Sequence, residues 1–324
     1  MPKAIFVTRR IPNIGIQMLE KKAYMVDVNP KDSILTQKQI IGFLKKKPYD
    51  AVLTLLTDHI DSAVFDASPT VKLFANYATG FDNIDVVEAR KRGVVVTNSP
   101  AELASEAVAE HAIALMLALA ARIVEADEFV RRGKYKGWSA MNFIGTNVLG
   151  KTLGLIGAGR IGERVARYAK GLGLKIIYTD VVRNDRIEKE CDATYRGSTE
   201  EVLREADVVS LHVPLLDSTK HLINEVSLRL MKPTSFLVNT SRGPVVDEKA
   251  LEKALREKVI AAAALDVFEF EPKTVPGLTK LQNVILTPHI ASASLEARNQ
   301  MAEISAQNII DFFEGRTPKN IVNP

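Results

Sequence analysis

Apolar residues along this chain fall into two alternating series. Between residues 3 and 97, short runs rich in β-branched side chains (Ala4–Val7, Met25–Val28, Ala51–Thr54, Leu73–Ala75 and Val94–Thr97) are separated by stretches whose apolar positions recur at helical spacing. Parallel strands need crossovers about as long as a helix, so this alternation predicts a parallel sheet with helices on both faces. A second series predicts another sheet of the same kind: Thr152–Ile156, Lys175–Thr179, Val208–Val213, Phe236–Asn239, Ala261–Leu265 and Val284–Leu286. Between them, residues 103–132 read as one long helix, apolar on most faces, the pattern of a helix buried between domains or subunits. A last helix is predicted over Ser294–Glu314, with Gly315 as its stop and Pro318 just beyond.

At 324 residues the chain exceeds what one hydrophobic core usually holds, which predicts two α/β domains with a cleft between them. With 46% apolar and 25% charged residues it can build ordinary cores without metal or disulfide support. The net charge of +4 is small and dispersed, which argues against a nucleic acid or a membrane surface as partner. Cys191 is the only cysteine; it excludes an intrachain disulfide and a thiolate metal cluster, and it fits a reducing cytoplasm. The amino terminus lacks the long apolar core of a secretory signal, and Ala112–Ala121 falls short of the roughly 18 residues that span a bilayer.

Strand Thr152–Ile156 runs straight into Gly157-Ala-Gly159-Arg-Ile-Gly162, and helical spacing resumes at Arg160. Glycines at this spacing are weak evidence alone, but between a strand and a helix they form a dinucleotide fingerprint. Gly157 permits the tight turn, Gly159 lets backbone N–H groups approach a pyrophosphate, and Gly162 lets helix and strand pack closely. The helix N-terminus adds partial positive charge. Asp180, at the end of the next strand, can accept hydrogen bonds from adenosine ribose hydroxyls and would repel a 2′-phosphate, which predicts NAD over NADP, with Arg183 nearby as an opposing charge. His212, Val213 and Pro214 fall where the opposite wall of an adenine site would lie, although His212 reads equally well as a core histidine.

Hydride transfer from such a cofactor to a carbonyl needs a proton donor for the carbonyl oxygen, and a substrate that is also a carboxylate needs a cation. The planar fork of Arg matches a carboxylate, His supplies a proton near neutral pH, and a neighbouring carboxylate orients its ring. Three positions just past predicted strands offer such groups: Arg242 in Asn239–Gly243, Glu271 in Leu265–Pro272 and His289 in Leu286–Ser292. Ligands of open parallel sheets bind beyond the carboxyl ends of strands, so these residues can converge.

Asn76–Asp85, Gly157–Gly162, Leu211–Leu215, Asn239–Gly243, Leu265–Pro272 and Thr287–Ser292 together resemble the D-isomer-specific 2-hydroxyacid dehydrogenases, most closely their glyoxylate and hydroxypyruvate reductases, over nearly the whole chain. The resemblance implies a Rossmann cofactor domain over residues 99–289 and a flavodoxin-like substrate domain built from residues 1–98 and 290–324. It implies that Arg242 binds substrate, that His289 is the acid–base and that Glu271 pairs with it. The cofactor set it implies is Gly157, Gly159, Arg160, Ile161, Gly162, Asp180, His212, Val213, Pro214, Thr219, Thr240, Arg242, Asp266, His289 and Ser292. The substrate set is Leu55, Ala78, Thr79, Gly80, Arg242 and His289. It further implies a homodimer built on the long middle helix, with Trp138 in or near the interface. Thr79 stands where the family's phosphite dehydrogenases carry Lys, and Glu271 where its formate dehydrogenases carry Gln, so neither of those activities is expected. D-lactate and D-3-phosphoglycerate dehydrogenation remain open, as does a non-enzymatic NAD(H) sensor, which would have no need of Arg242, Glu271 and His289 together.

Overall fold

The computed structural model describes residues 2–324. The chain divides into two compact units, one running from the amino terminus to Ala104 together with Ala293–Pro324, the other Ser105–Ser292.

The first unit holds a five-stranded sheet of β1 (Ala4–Val7), β2 (Met25–Val28), β3 (Ala51–Leu55), β4 (Leu73–Tyr77) and β5 (Val95–Thr97), all parallel, in the order β2-β1-β3-β4-β5. This is a flavodoxin-like order. Helices α1 (Asn13–Lys21), α2 (Gln37–Leu44), α3 (Ser62–Ala67) and α4 (Val86–Lys91) make the crossovers. Their starts are written locally: Thr36, Asp61 and Asp85 each accept a backbone N–H of the first turn through the side chain. The inner strands β1 and β4 are buried along their whole length and β3 up to its last residue, which is why they do not read as alternating apolar and polar positions.

The single helix expected over 103–132 is two, α5 (Glu102–Ala121) and α6 (Ile123–Arg131), broken where Arg122 takes a left-handed conformation with φ +55°. The returning chain holds the break: Thr146 N–H takes the Ala120 carbonyl, and the Arg122 guanidinium sits 5.4 Å above the Phe143 ring. Apolar residues continue through the break, so periodicity alone does not reveal it. None of α6 is buried. Among the described residues α5 alone is long and apolar enough to cross a bilayer, and half of that stretch is buried in the protein.

The second unit holds a seven-stranded parallel sheet: β6 (Thr152–Ile156), β7 (Lys175–Thr179), β8 (Thr194–Tyr195), β9 (Val208–Leu211), β10 (Phe236–Asn239), β11 (Ala262–Leu265) and β12 (Val284–Leu286), in the order β12-β11-β10-β9-β6-β7-β8. The two-residue edge strand β8 is too short to leave a pattern, and β9 stops two residues earlier than expected, leaving His212 and Val213 beyond it. Helices α7 (Arg160–Gly171), α8 (Asp185–Cys191), α9 (Thr199–Glu205), α10 (Glu225–Leu228) and α11 (Glu248–Arg256) cover its faces. The last helix, α12 (Leu295–Phe313), returns to the first unit and packs on α1 and β4.

Candidate active site

Strand register lines up the carboxyl ends of the second sheet. Thr179, Ile156, Leu211, Asn239, Leu265 and Leu286 pair in succession across six strands. The residues that follow them, Asp180, Gly157, His212, Thr240, Asp266 and Thr287, therefore emerge in one row. The chain order reverses between β6 and β9, the switch point where such sheets bind ligands.

At that point each glycine of the fingerprint answers a different constraint. Gly157 has φ +96°, and a Cβ there would lie 2.7 Å from the His212 carbonyl. A Cβ on Gly162 would lie 2.2 Å from the Gly157 oxygen. Gly159, the N-cap of α7, would place its Cβ in open space with nothing within 4 Å. The first and third glycines are thus required by packing, and the second faces open space at a helix N-terminus, where a pyrophosphate can approach the backbone. Arg160 is exposed beside it, and Ile161 packs on the core beneath. Asp180 accepts the Ala158 N–H through one oxygen and the Val181 N–H through the other, both at 2.6 Å, which fixes its carboxylate against the glycine loop. These residues fit a dinucleotide.

His212 is a mixed case. Its Nε2 meets Ser210 Oγ at 2.9 Å, while Nδ1 is buried without a partner. Although other parts of the residue reach solvent, burial of the ring pushes its pKa down to about 4, so the ring is neutral. Val213 is half-buried and Pro214 exposed; the Thr219 hydroxyl is spent closing the turn from Pro214, donating to its carbonyl at 2.6 Å.

At the other end of the row, His289 Nδ1 lies 2.9 Å from Glu271 Oε2, and Glu271 Oε1 accepts the Phe268 N–H at 3.0 Å. This pair, eighteen positions apart in sequence, leaves Nε2 as the ring's outward nitrogen. His289 itself sits at φ +54°, a conformation unusual for a residue with a side chain. Asp266 holds it there. The fully buried carboxylate accepts Thr287 Oγ1 at 2.6 Å, Ile290 N–H at 2.9 Å and Ala291 N–H at 2.8 Å, while the Asp266 carbonyl takes the His289 N–H. Burial alone would raise its pKa; His111, Thr287 and the two amides outweigh that and hold it below the usual value. Arg242 is half-buried in the connection after β10, where Asn239 Nδ2 donates to its carbonyl. The Thr240 hydroxyl is buried with no partner. Ser292 is half-buried just after the Asp266-bound amides.

In the first unit, the loop after β4 has its carbonyls occupied. Ser99 N–H takes Ala78 O, Asn98 Nδ2 takes Thr79 O, and Asn76 Nδ2 takes Gly80 O. The Thr79 and Gly80 N–H groups donate to no acceptor among the described residues, so they are available to an anion. Leu55, at the end of β3, donates its N–H to the buried Asp58 and accepts from Asn83. Among the described residues there is no cluster of His, Cys, Asp and Glu able to hold a metal ion.

Three contributors escaped the sequence reading. Thr287, just past β12, and His111 on α5, 3.2 Å apart, brace Asp266, and nothing local to either position signals the contact. Glu248 looks like an ordinary first-turn acid yet is 1% exposed.

The chain matches the family model described as the D-isomer specific 2-hydroxyacid dehydrogenase NAD binding domain over residues 113–291. It is 50% identical to a glyoxylate reductase of Korarchaeum cryptofilum, covering 100% of this chain and 96% of the relative. A solved protein of Thermus thermophilus superposes with a TM-score of 0.92 at 36% identity, covering 98% of this chain and 99% of that one. An NADPH-dependent glyoxylate/hydroxypyruvate reductase of Sinorhizobium meliloti, solved with NADP and malonate, gives a TM-score of 0.87 at 29% identity over 99% of this chain and 97% of that one.

Proposed function

Because this chain belongs to the D-isomer specific 2-hydroxyacid dehydrogenase family, we propose that it is a glyoxylate and hydroxypyruvate reductase that uses NADH. It is an oxidoreductase acting on CH–OH donors. The observation that carries the reading is the Glu271–His289 pair, held at the same sheet edge as the glycine loop and Asp180.

Bound nicotinamide cofactor supplies the hydride. The chain's own residues do the rest. Arg242 pairs its guanidinium with the substrate carboxylate. His289 donates the proton from Nε2 to the carbonyl oxygen as negative charge grows there. Glu271 fixes the ring through Nδ1–H and stabilises its positive form before transfer. Asp266 and Thr240 face the nicotinamide in this reading.

NAD is favoured over NADP by Asp180, and the opposing charge is already engaged. Arg183 pairs with Glu188 at 2.7 and 3.1 Å and stacks on Tyr195. A homodimer is supported by Trp138, Met141 and Leu149, which expose 86%, 75% and 75% of their surface, more than a lone subunit usually leaves uncovered. A cytoplasmic location completes the reading.

Loss of NADH absorbance by the purified protein, measured with glyoxylate, hydroxypyruvate, pyruvate and phosphohydroxypyruvate and repeated with NADPH, tests it. Fastest turnover of glyoxylate or hydroxypyruvate, with NADPH about tenfold poorer through repulsion at Asp180, is the expected result. Preference for pyruvate or phosphohydroxypyruvate would move the enzyme to the lactate or phosphoglycerate dehydrogenases. Binding of NADH without turnover of any of the four would make it a nucleotide sensor.

A further inference from the structure

Between β11 and the short helical turn Leu278–Lys280, the turn that carries Glu271 has only the isolated bridge Phe270–Lys273 at its tip, yet it has to hold a carboxylate at a fixed distance from His289. What fixes it is another acid. Glu248, the first residue of α11, is 1% exposed, and its carboxylate accepts the Glu269 N–H through Oε1 and the Val275 N–H through Oε2, both at 2.9 Å. Those two amides lie on either side of Glu271, so one buried group ties both stems of the turn. The Glu248 N–H donates back to Glu269 Oε2 at 3.3 Å, and Glu269 Oε1 meets His221 Nε2 at 2.7 Å, which supplies hydrogen bonding for the second acid. A carboxylate this buried is tolerated only when its oxygens are satisfied, and both are satisfied by the turn.

The same residue reaches the substrate-binding side. Glu248 ends the connection that begins at Arg242, and in that connection Gly243 lies so close to the turn that a Cβ would fall 1.9 Å from the Phe268 carbonyl. The two segments pack backbone to backbone at Gly243 and are tied in register by the carboxylates of Glu248 and Glu269.

We propose that Glu248 is a positioning residue for the reduction: by clamping the Glu269 and Val275 amides it sets Glu271 against His289 and the Arg242 connection against both. The proposal rests on the reductase reading, and its test has a readout that does not. Glu248→Gln keeps one acceptor but turns an NH2 towards an amide N–H it cannot bond. Its kcat on glyoxylate is expected to fall about tenfold, a cost typical of small misplacements of catalytic groups, with NADH affinity unchanged. Hydrogen exchange is expected to rise at the Glu269 and Val275 amides and also at Phe268, whose partner is Glu271 rather than Glu248. In a double-mutant cycle, Glu248→Gln should slow Glu271→Gln no further, because both act through one group. A folded Glu248→Gln enzyme with parental kcat and parental Phe268 exchange overturns the proposal, as does a fully multiplicative cycle. If the parent reduces no 2-oxo acid, the reductase reading fails, while Phe268 exchange still decides the clamp. Should Glu248→Gln not fold, Glu248→Asp, which keeps the charge but draws both oxygens back by one methylene, loosens the Glu269 and Val275 amides. Parental Phe268 exchange there would overturn the proposal equally.

Discussion

Replacing Gly159 by alanine adds a methyl group that meets no protein atom within 4 Å, whereas the same change at Gly162 drives a Cβ to 2.2 Å from the Gly157 oxygen. The two substitutions therefore separate ligand space from packing. At Gly162 the glycine loop must retreat by about 1.2 Å to restore the 3.4 Å of ordinary contact, and the atom in the way is backbone rather than a movable side-chain tip. Overpacking of that kind costs about 1–3 kcal/mol, which for a unit of this size lowers Tm by about 2–12 °C. At Gly159 the backbone is extended, with φ −74° and ψ −161°, so alanine fits without strain. The loss of a preferred N-cap residue and the gain in unfolded-state stiffness nearly cancel, leaving stability within about 0.5 kcal/mol of the parent. Its methyl group instead enters the space assigned to the pyrophosphate, so NADH should bind at least about tenfold more weakly, roughly 1.4 kcal/mol. Differential scanning fluorimetry and fluorescence titration of NADH measure the two quantities on the same samples. Gly162→Ala should lose both stability and affinity, Gly159→Ala affinity alone. A Gly159→Ala protein that binds NADH like the parent would refute the placement of the cofactor on this loop.

Steady-state kinetics should show His289→Ala slower in kcat by about 100-fold or more and Glu271→Gln by about tenfold, both with parental NADH affinity; equal effects on NADH binding would mean the pair serves the cofactor site instead. His212 makes stability pH-dependent in a defined window. The unfolded ring takes up a proton as pH falls through about 6.5, the folded one only near the depressed value of about 4, so stability is lost between those values, by up to about 3 kcal/mol. Denaturant unfolding of His212→Asn should therefore show a shallower decline over that range than the parent, and parallel curves would count against a buried neutral ring. Trp138→Ser combined with Met141→Ser should halve the mass seen by analytical ultracentrifugation at micromolar protein; an unchanged mass would move the subunit contact away from these side chains.

Much of the candidate site was legible because its signals are local. The inner strands of both series announce themselves through short apolar runs that are buried on both faces, and the edge strands β2 and β12 through apolar runs that are only half-buried. The fingerprint is six consecutive residues between a strand and a helix, and Asp180, Arg242 and His289 could be named from their places just past strands. Other features were not legible. Arg122 breaks a helix inside unbroken apolar periodicity, held by a bond from Thr146 that lies more than twenty residues on. Asp266 is put in the cofactor set by the family resemblance, but nothing local signals that its buried carboxylate also holds His289 in a left-handed turn with help from Thr287 and His111. Glu248 carries no sequence signal because first-turn acids are ordinary on exposed helices, and only its burial sets it apart.

The sequence by itself determined the element types, the two alternating series and the chemistry on offer at each strand end, because periodicity, turn chemistry and side-chain identity act over a few residues. Only the tertiary structure decided that Asp180, Gly157, His212, Thr240, Asp266 and Thr287 stand in one row and that Glu271 reaches His289. Strand order and register are set by hydrogen-bonded partners far apart in the chain, and their geometry exists only once the sheet has closed around them.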